Sequence, residues 1–231
     1  GMASLSYPFS KFKRIESRIF LRKSEKDLFF PGTYRDAYLT TVYLSYVKDN
    51  SIWDYTGPLD GSRYIISTGF SYDFKSNSSF NRLFMVDLRK YFRLGKYSAF
   101  ATRAWYYTSA GKEPQRLYFG GSWSLRGFDR REWYKRNIFL LSNELRFPLI
   151  NRLHIGLPVG AIGFTGIRGA IFADVGSAWG DDFDQMYGAF GLGARVALGY
   201  FLVLRFDFSR TTDFEKISPE WDFDFWFGWN F

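Results

Sequence analysis

Polarity along this chain changes residue by residue. In 221–231, Phe223, Phe225, Phe227, Trp229 and Phe231 fall on one side, and Asp222, Asp224, Trp226, Gly228 and Asn230 on the other. Leu202, Leu204, Phe206 and Phe208 oppose Val203, Arg205, Asp207 and Ser209; Phe190, Leu192, Ala194, Val196 and Leu198 oppose Gly191, Gly193 and Arg195. Tyr64, Ile66, Phe70, Tyr72 and Phe74 oppose Arg63, Ser67, Gly69, Ser71 and Asp73. A period of two belongs to the strand, since successive side chains leave opposite faces of a pleated backbone. The pattern predicts about ten strands, at roughly 11–22, 35–48, 62–75, 80–93, 97–108, 137–148, 166–179, 187–198, 200–211 and 221–231. Turn residues punctuate them at Phe30-Pro31-Gly32, Thr56-Gly57-Pro58, Lys75-Ser76-Asn77, Leu94-Gly95-Lys96 and Leu198-Gly199. No polar linker divides the chain, so 1–231 reads as one domain.

A soluble β-sandwich also alternates, with its apolar face inward. Two features point elsewhere. The predicted strands exceed the usual soluble length of about 5–6 residues and match the roughly 9–11 that cross a bilayer at a tilt. Aromatic residues also crowd strand ends, at Tyr106-Tyr107, Trp179, Tyr200-Phe201 and Trp229–Phe231, as interfacial girdles do. The expectation is an all-β, antiparallel transmembrane β-barrel. In lipid such a sheet must close, because unpaired backbone groups there cost several kcal/mol each.

With both termini on the periplasmic side, the connections 23–34, 76–79, 109–136, 180–186 and 212–220 face outward, and 109–136 is the longest. The inner connections 49–61 and 149–165 are long for periplasmic turns; they hide strand extensions or a slip of register. Strand 11–22 is anomalous, because Lys11, Lys13, Arg14, Glu16 and Arg18 place charge on both faces. A basic residue facing lipid at mid-depth costs about 2–4 kcal/mol. This strand is therefore expected near an interface or against protein.

Composition narrows the chemistry. Aromatics are 22% of the 231 residues and charged residues 23%. That excludes disorder, and no apolar run reaches the ~18 residues of a membrane helix. With no cysteine and a single histidine, His154, disulfides, thiol catalysis and multi-histidine metal sites lack their parts. The net charge of +8 is spread among aromatics and acids, so no nucleic-acid patch stands out, and the aromatics are committed to one face. His154 lies beside Arg152 and Leu153 and reads as a turn residue. No nucleophile elbow, phosphate loop or metal run is present. The expectation is no enzyme, no cofactor and no metal. The opening Gly1-Met2-Ala3-Ser4 reads as a remnant ahead of an internal or mature start, with a leader or a larger N-terminal region removed.

Connection 109–136 carries Phe119-Gly120-Gly121-Ser122-Trp123-Ser124-Leu125-Arg126-Gly127-Phe128. This resembles the Gly-Gly…(Val/Leu)-Arg-Gly-(Phe/Tyr) loop of the bacterial surface antigen superfamily, the outer-membrane barrels related to BamA, TamA and FhaC. Further matches follow in the family's order. Asp49 to Gly61 looks like its Asp…Pro-x-x-Gly turn, and Asn143 to Leu149 like the strand after the motif loop. Ile167 to Trp179 carries its Phe-x-Asp-x-Gly signature, and Phe231 its terminal Phe. The resemblance covers roughly 35–231.

It implies a loop folded into the barrel, with Gly120, Gly121, Leu125, Arg126, Gly127 and Phe128 as its core and Arg126 reaching Glu144 and Asp174 on the inner wall. Alternation independently puts both carboxylates on the lumen face of neighbouring strands. The competing arrangement leaves Arg126 on a solvated loop, the acids being ordinary lumen polars. Asp73, Arg205 and Asp207 read as plain lumen charges. Phe227, Trp229 and Phe231 form the terminal-strand signal. The family's barrels have sixteen strands, five after the motif loop. Five follow it here and only five precede it, and the periplasmic POTRA modules are absent, so the chain reads as a truncated piece, a reduced relative, or the C-terminal portion of a larger sixteen-stranded barrel.

The function implied is insertion or translocation of other proteins at the bacterial outer membrane. Its partners would be membrane lipid or detergent, unfolded client proteins and periplasmic modules. The alternative is a passive outer-membrane anchor for a missing N-terminal passenger or enzymatic domain.

Overall fold

The computed structural model describes residues 1–27, 34–151, 153–198 and 202–228. They form β1 (Met2–Ser10), β2 (Lys13–Asp27), β3 (Tyr34–Asp49), β4 (Ile52–Asp54), β5 (Gly57–Asp73), β6 (Ser78–Arg93), β7 (Ala99–Gly111), β8 (Leu117–Phe119), β9 (Trp133–Lys135), β10 (Asn137–Ile150), β11 (Leu153–Leu157), β12 (Gly160–Trp179), β13 (Tyr187–Leu198), β14 (Leu202–Thr212) and β15 (Asp222–Phe227). Eleven strands pair in one antiparallel wall, in the order β1-β2-β3-β5-β6-β7-β10-β12-β13-β14-β15. β4 pairs with β5 and β11 with β12, while β8 and β9 make a separate two-stranded ribbon. The wall curls around an interior. Arg146 on β10 donates to the Pro58 carbonyl on β5 at 3.0 Å, and Arg168 on β12 reaches Asp54 on β4 at 3.3 Å. The architecture is a transmembrane β-barrel.

Residues directly opposed across a ladder share a face, so the register sorts the two sides. Leu145, Ile171, Leu192, Phe208 and Phe223 form one row across five strands. Ile171, Leu192 and Phe208 in it are 48%, 54% and 49% exposed. The other face holds Glu144, Asp174, Arg205 and Asp207, each at most 2% exposed. This inverts a water-soluble protein, in which ionised side chains are almost never fully buried. A wall that shows hydrocarbon outward and holds its charges inside is built for lipid.

The structure departs from the sequence reading in several places. There are eleven wall strands rather than ten, because Met2–Ser10, which begins within the expected remnant Gly1–Ser4 and carried no predicted strand, pairs with β2 from Met2 opposite Phe20 to Pro8 opposite Arg14. Pro8 lacks an N–H and masked this segment, yet an end strand of the wall tolerates it. An odd count also places Gly1 and Phe227 at opposite ends of the wall, not on one side.

The anomaly of 11–22 resolves with the register. Lys11 lies in the β1–β2 turn. Arg14, Glu16 and Arg18 all share the inner face of Val47, Ser45 and Tyr43. There Glu16 accepts from Arg14 at 2.6 Å and from Arg18 at 2.8 Å. Only Lys13, at the strand's start, is turned outward with Ile15 and Ile19. The two long inner connections do contain strand extensions, the hairpins β4–β5 and β11–β12. Phe30-Pro31-Gly32, Arg152, Tyr200-Phe201, Trp229 and Phe231 lie outside the described residues. His154 falls within β11, opposite Gly163.

Candidate functional site

The segment between β7 and β10 carries the β8–β9 ribbon and folds into the barrel. Its turn is written in glycines. Gly121 at φ 89° accepts from the Ser124 amide at 2.9 Å and donates to the Leu125 carbonyl at 3.0 Å. Gly127, at φ 76°, lies so close to β14 that an added Cβ would sit 2.8 Å from both Ser209 Oγ and Thr211 Cγ2. Only glycine holds a left-handed backbone against a wall at that distance. Between them, Leu125 is fully buried in an apolar cluster with Tyr107, Phe119, Ile138, Leu140 and Ala178. Phe128 packs on Trp133 and Tyr187, with ring centroids at 5.2 and 5.6 Å. The apolar neighbours of Arg126 thus hold the loop down on either side of it.

Arg126 is 2% exposed. Its Nε donates to Asp174 Oδ2 at 2.6 Å and its Nη2 to Asp174 Oδ1 at 2.7 Å, a bidentate fork. Nη1 donates to Glu144 Oε2 at 2.5 Å, and Nη2 also meets Ser142 Oγ at 3.2 Å. The guanidinium carbon lies 3.6 Å from the centroid of the Phe172 ring. A planar, permanently charged group with a rigid set of donors suits this geometry; a lysine could not make the fork. Glu144 and Asp174 come together because Glu144 pairs with Phe172 and Ser142 with Asp174 in the β10–β12 register.

The pairing continues beyond the residues that the sequence singled out. Glu144 also accepts from Arg146 at 2.8 Å and Arg195 at 3.0 Å, and Arg195 donates to Asp207 at 2.6 Å. Arg205 donates to Asp207 at 2.9 Å. Asp207 and Arg205 are therefore members of one buried network, not separate lumen charges. Asp73 stands apart at a turn, accepting from the Lys75 and Tyr38 amides and the Ser76 hydroxyl. Alternation assigned these side chains to the lumen; only the stagger between strands says which of them meet.

The loop also touches the far end of the wall. Ser122 Oγ donates to Asp224 on β15. The Trp123 ring stands edge-on to Trp226 at 5.6 Å, and the Trp123 carbonyl accepts from Arg103 on β7 at 3.2 Å. One segment thereby reaches β7, β10, β12, β14 and β15. Phe227 lies on the lipid side of β15, opposite Leu204. Such an arrangement positions and braces. Among the described residues, no group of three or more His, Cys, Asp or Glu could hold a metal ion.

No protein-family model matches the chain, and no curated protein matches it. In three dimensions it is similar to the crystal structure of BamA from Haemophilus ducreyi lacking POTRA domains 1–3. The TM-score is 0.71 at 14% identity, over 98% of this chain and 52% of that one. The chain thus spans about half the length of that structure. Its fold is the outer-membrane barrel of the BamA type.

Proposed function

We propose that this protein lies in the bacterial outer membrane and serves in the insertion or translocation of other proteins, as a member of the surface antigen superfamily. The observation that carries this reading is the position of the Leu125-Arg126-Gly127-Phe128 loop. It is locked to the β10–β12 wall by Arg126 and reaches the terminal strand through Ser122 and Trp123. The BamA-type fold supports the same reading.

The mechanism breaks no covalent bond. β1 and β15 are the two ends of the paired wall. A strand at the end of a sheet carries a row of backbone donors and acceptors that a client strand can satisfy by edge pairing. The cost of leaving those groups bare in hydrocarbon drives the capture. The inward loop keeps β15 in place while its edge is used. Asp222 and Asp224 face the lumen and Phe223, Phe225 and Phe227 face lipid, so a strand added at this edge would adopt the same alternation.

The test is the folding of a client outer-membrane barrel into vesicles with and without the inserted protein. The reading expects faster folding in its presence, and slower folding again when Arg126→Ala frees the loop. Properly inserted protein that accelerates no client would overturn the reading in favour of the passive anchor.

A further inference from the structure

The outward faces of β2, β3 and β6, with the turn after β5, carry lysines at both ends, and the two ends are built differently. At the end bearing the long loops, Lys23 is paired with Glu25 and Lys75 with Asp36. At the opposite end, Lys13 stands directly across from Lys48. In the same region Lys90 follows Leu88, which joins the Lys48 row through Tyr64. From Lys13 to Lys23, Tyr38 to Lys48, Tyr64 to Tyr72 and Arg82 to Phe92, the outward positions of these four strands hold no carboxylate. Among the described residues none of Lys13, Lys48 and Lys90 forms an ion pair. Lys48 Nζ lies 4.9 Å from the Tyr64 ring centroid and Lys90 Nζ 5.3 Å from that of Phe92.

Like charges directly opposed across a ladder repel. This pair sits where the apolar band ends, at a depth where ammonium groups meet headgroup phosphates. The next outward row, Ile15, Tyr46, Ile66 and Val86, is apolar and continuous, so an anion seated on the lysines would have room for acyl chains alongside. On β10, β12, β13, β14 and β15 the same rim presents Leu149, Ile167, Leu198, Leu202 and Phe227, with no charge.

We infer that the opposed Lys13–Lys48 pair, flanked by Lys90 and the Tyr64 ring, binds the phosphate of an anionic phospholipid in the leaflet opposite the long loops. The acyl chains lie on the Ile15–Ile66 row. This rests on the outward face lying in lipid. It gives the barrel one sector that prefers anionic lipid and another, around the Arg126 loop and β15, that does not.

The test reconstitutes the protein in phosphatidylcholine vesicles doped with spin-labelled phosphatidylglycerol or spin-labelled phosphatidylcholine, and reads the motionally restricted fraction by electron paramagnetic resonance. A preference for phosphatidylglycerol on the order of tenfold is expected, the scale set by two basic residues at a charged surface. Lys13→Gln with Lys48→Gln should bring it close to parity. Lys48→Arg and Lys23→Gln should preserve it, and heat-modifiable migration on a gel verifies that each variant is folded. Equal restriction of both lipids, or a preference untouched by the double variant, would overturn the site. Full displacement of the restricted lipid by inorganic phosphate would make it a free-anion site and overturn the lipid assignment. Failure to float with vesicles of either composition would instead sink the membrane reading beneath it.

Discussion

Arg126 takes Asp174 side-on, Nε 2.6 Å from one carboxylate oxygen and Nη2 2.7 Å from the other. The carboxylate sits on β12 and the guanidinium on a loop 48 residues earlier. That contact ties the inward segment to β12, beside the apolar anchors Leu125 and Phe128. Burying ions is costly, and such a pair adds little net stability over an apolar substitute. Its consequence is position: with the loop here, each guanidinium nitrogen of Arg126 meets a carboxylate oxygen.

Removing one partner is a different matter, since it strands the others in a dry interior. Arg126→Ala leaves Asp174 without its fork and should destabilise the barrel by about 3–5 kcal/mol. Arg126→Lys keeps the charge, loses the bidentate geometry and should fall between that variant and the parent. The midpoint of heat-modifiable migration in detergent measures both. Protease should also begin to cut within 112–136 in the alanine variant.

Gly127→Ala tests the close approach to β14. The methyl group meets Ser209 Oγ and Thr211 Cγ2 at 2.8 Å and must adopt φ 76°. The expected loss is about 1–3 kcal/mol, from strain and overpacking together. Ser209→Gly should recover part of it in a double-mutant cycle. Additivity of the two changes would count against the contact.

Arg205 makes the opposite prediction. Its Nε and Nη1 are buried with no hydrogen-bond partner, although Nη2 reaches Asp207. Asp207 keeps Arg195 at 2.6 Å when Arg205 is gone. Arg205→Met should then be neutral or stabilising, because it removes unpaired buried donors and keeps the volume. Asp207→Ala should cost about 3–5 kcal/mol, since two guanidiniums lose their shared carboxylate. Chemical unfolding in micelles ranks the two variants.

The lipid face has its own test. Ile171→Arg, at a position 48% exposed, should cost about 2–4 kcal/mol in a bilayer. At an exposed site in water the same change stays within about 0.5 kcal/mol. Folding of the variant into vesicles, compared with the parent, separates the two environments.

Much of this was legible in alternation alone. β13 runs over 187–198 as predicted, and the faces of β14 and β15 were sorted correctly, because a period of two survives any error in strand ends. Five wall strands follow the motif loop, as the pattern implied. β1 was missed, since Pro8 and a short polar start hid its Leu5, Tyr7 and Phe9 stripe. The charged start of β2 needed the register to be sorted. Arg14, Glu16 and Arg18 are i, i+2 neighbours on the inner face and Lys13 alone faces outward, so charge does fall on both faces; only Lys11, which lies in a turn, leaves the strand.

The sequence by itself determined that this chain is a wall of alternating strands, which of its sides is apolar, and which residues could meet inside. Those properties are local: each depends on a residue and its immediate neighbours along the backbone. Tertiary structure alone decided the partners. Ser142 stands opposite Asp174, and Glu144 gathers Arg126, Arg146 and Arg195, because of the stagger between strands and the curl of the wall. A shift of two residues would keep every face and exchange every partner, so the network around Arg126 belongs to the register rather than to the pattern.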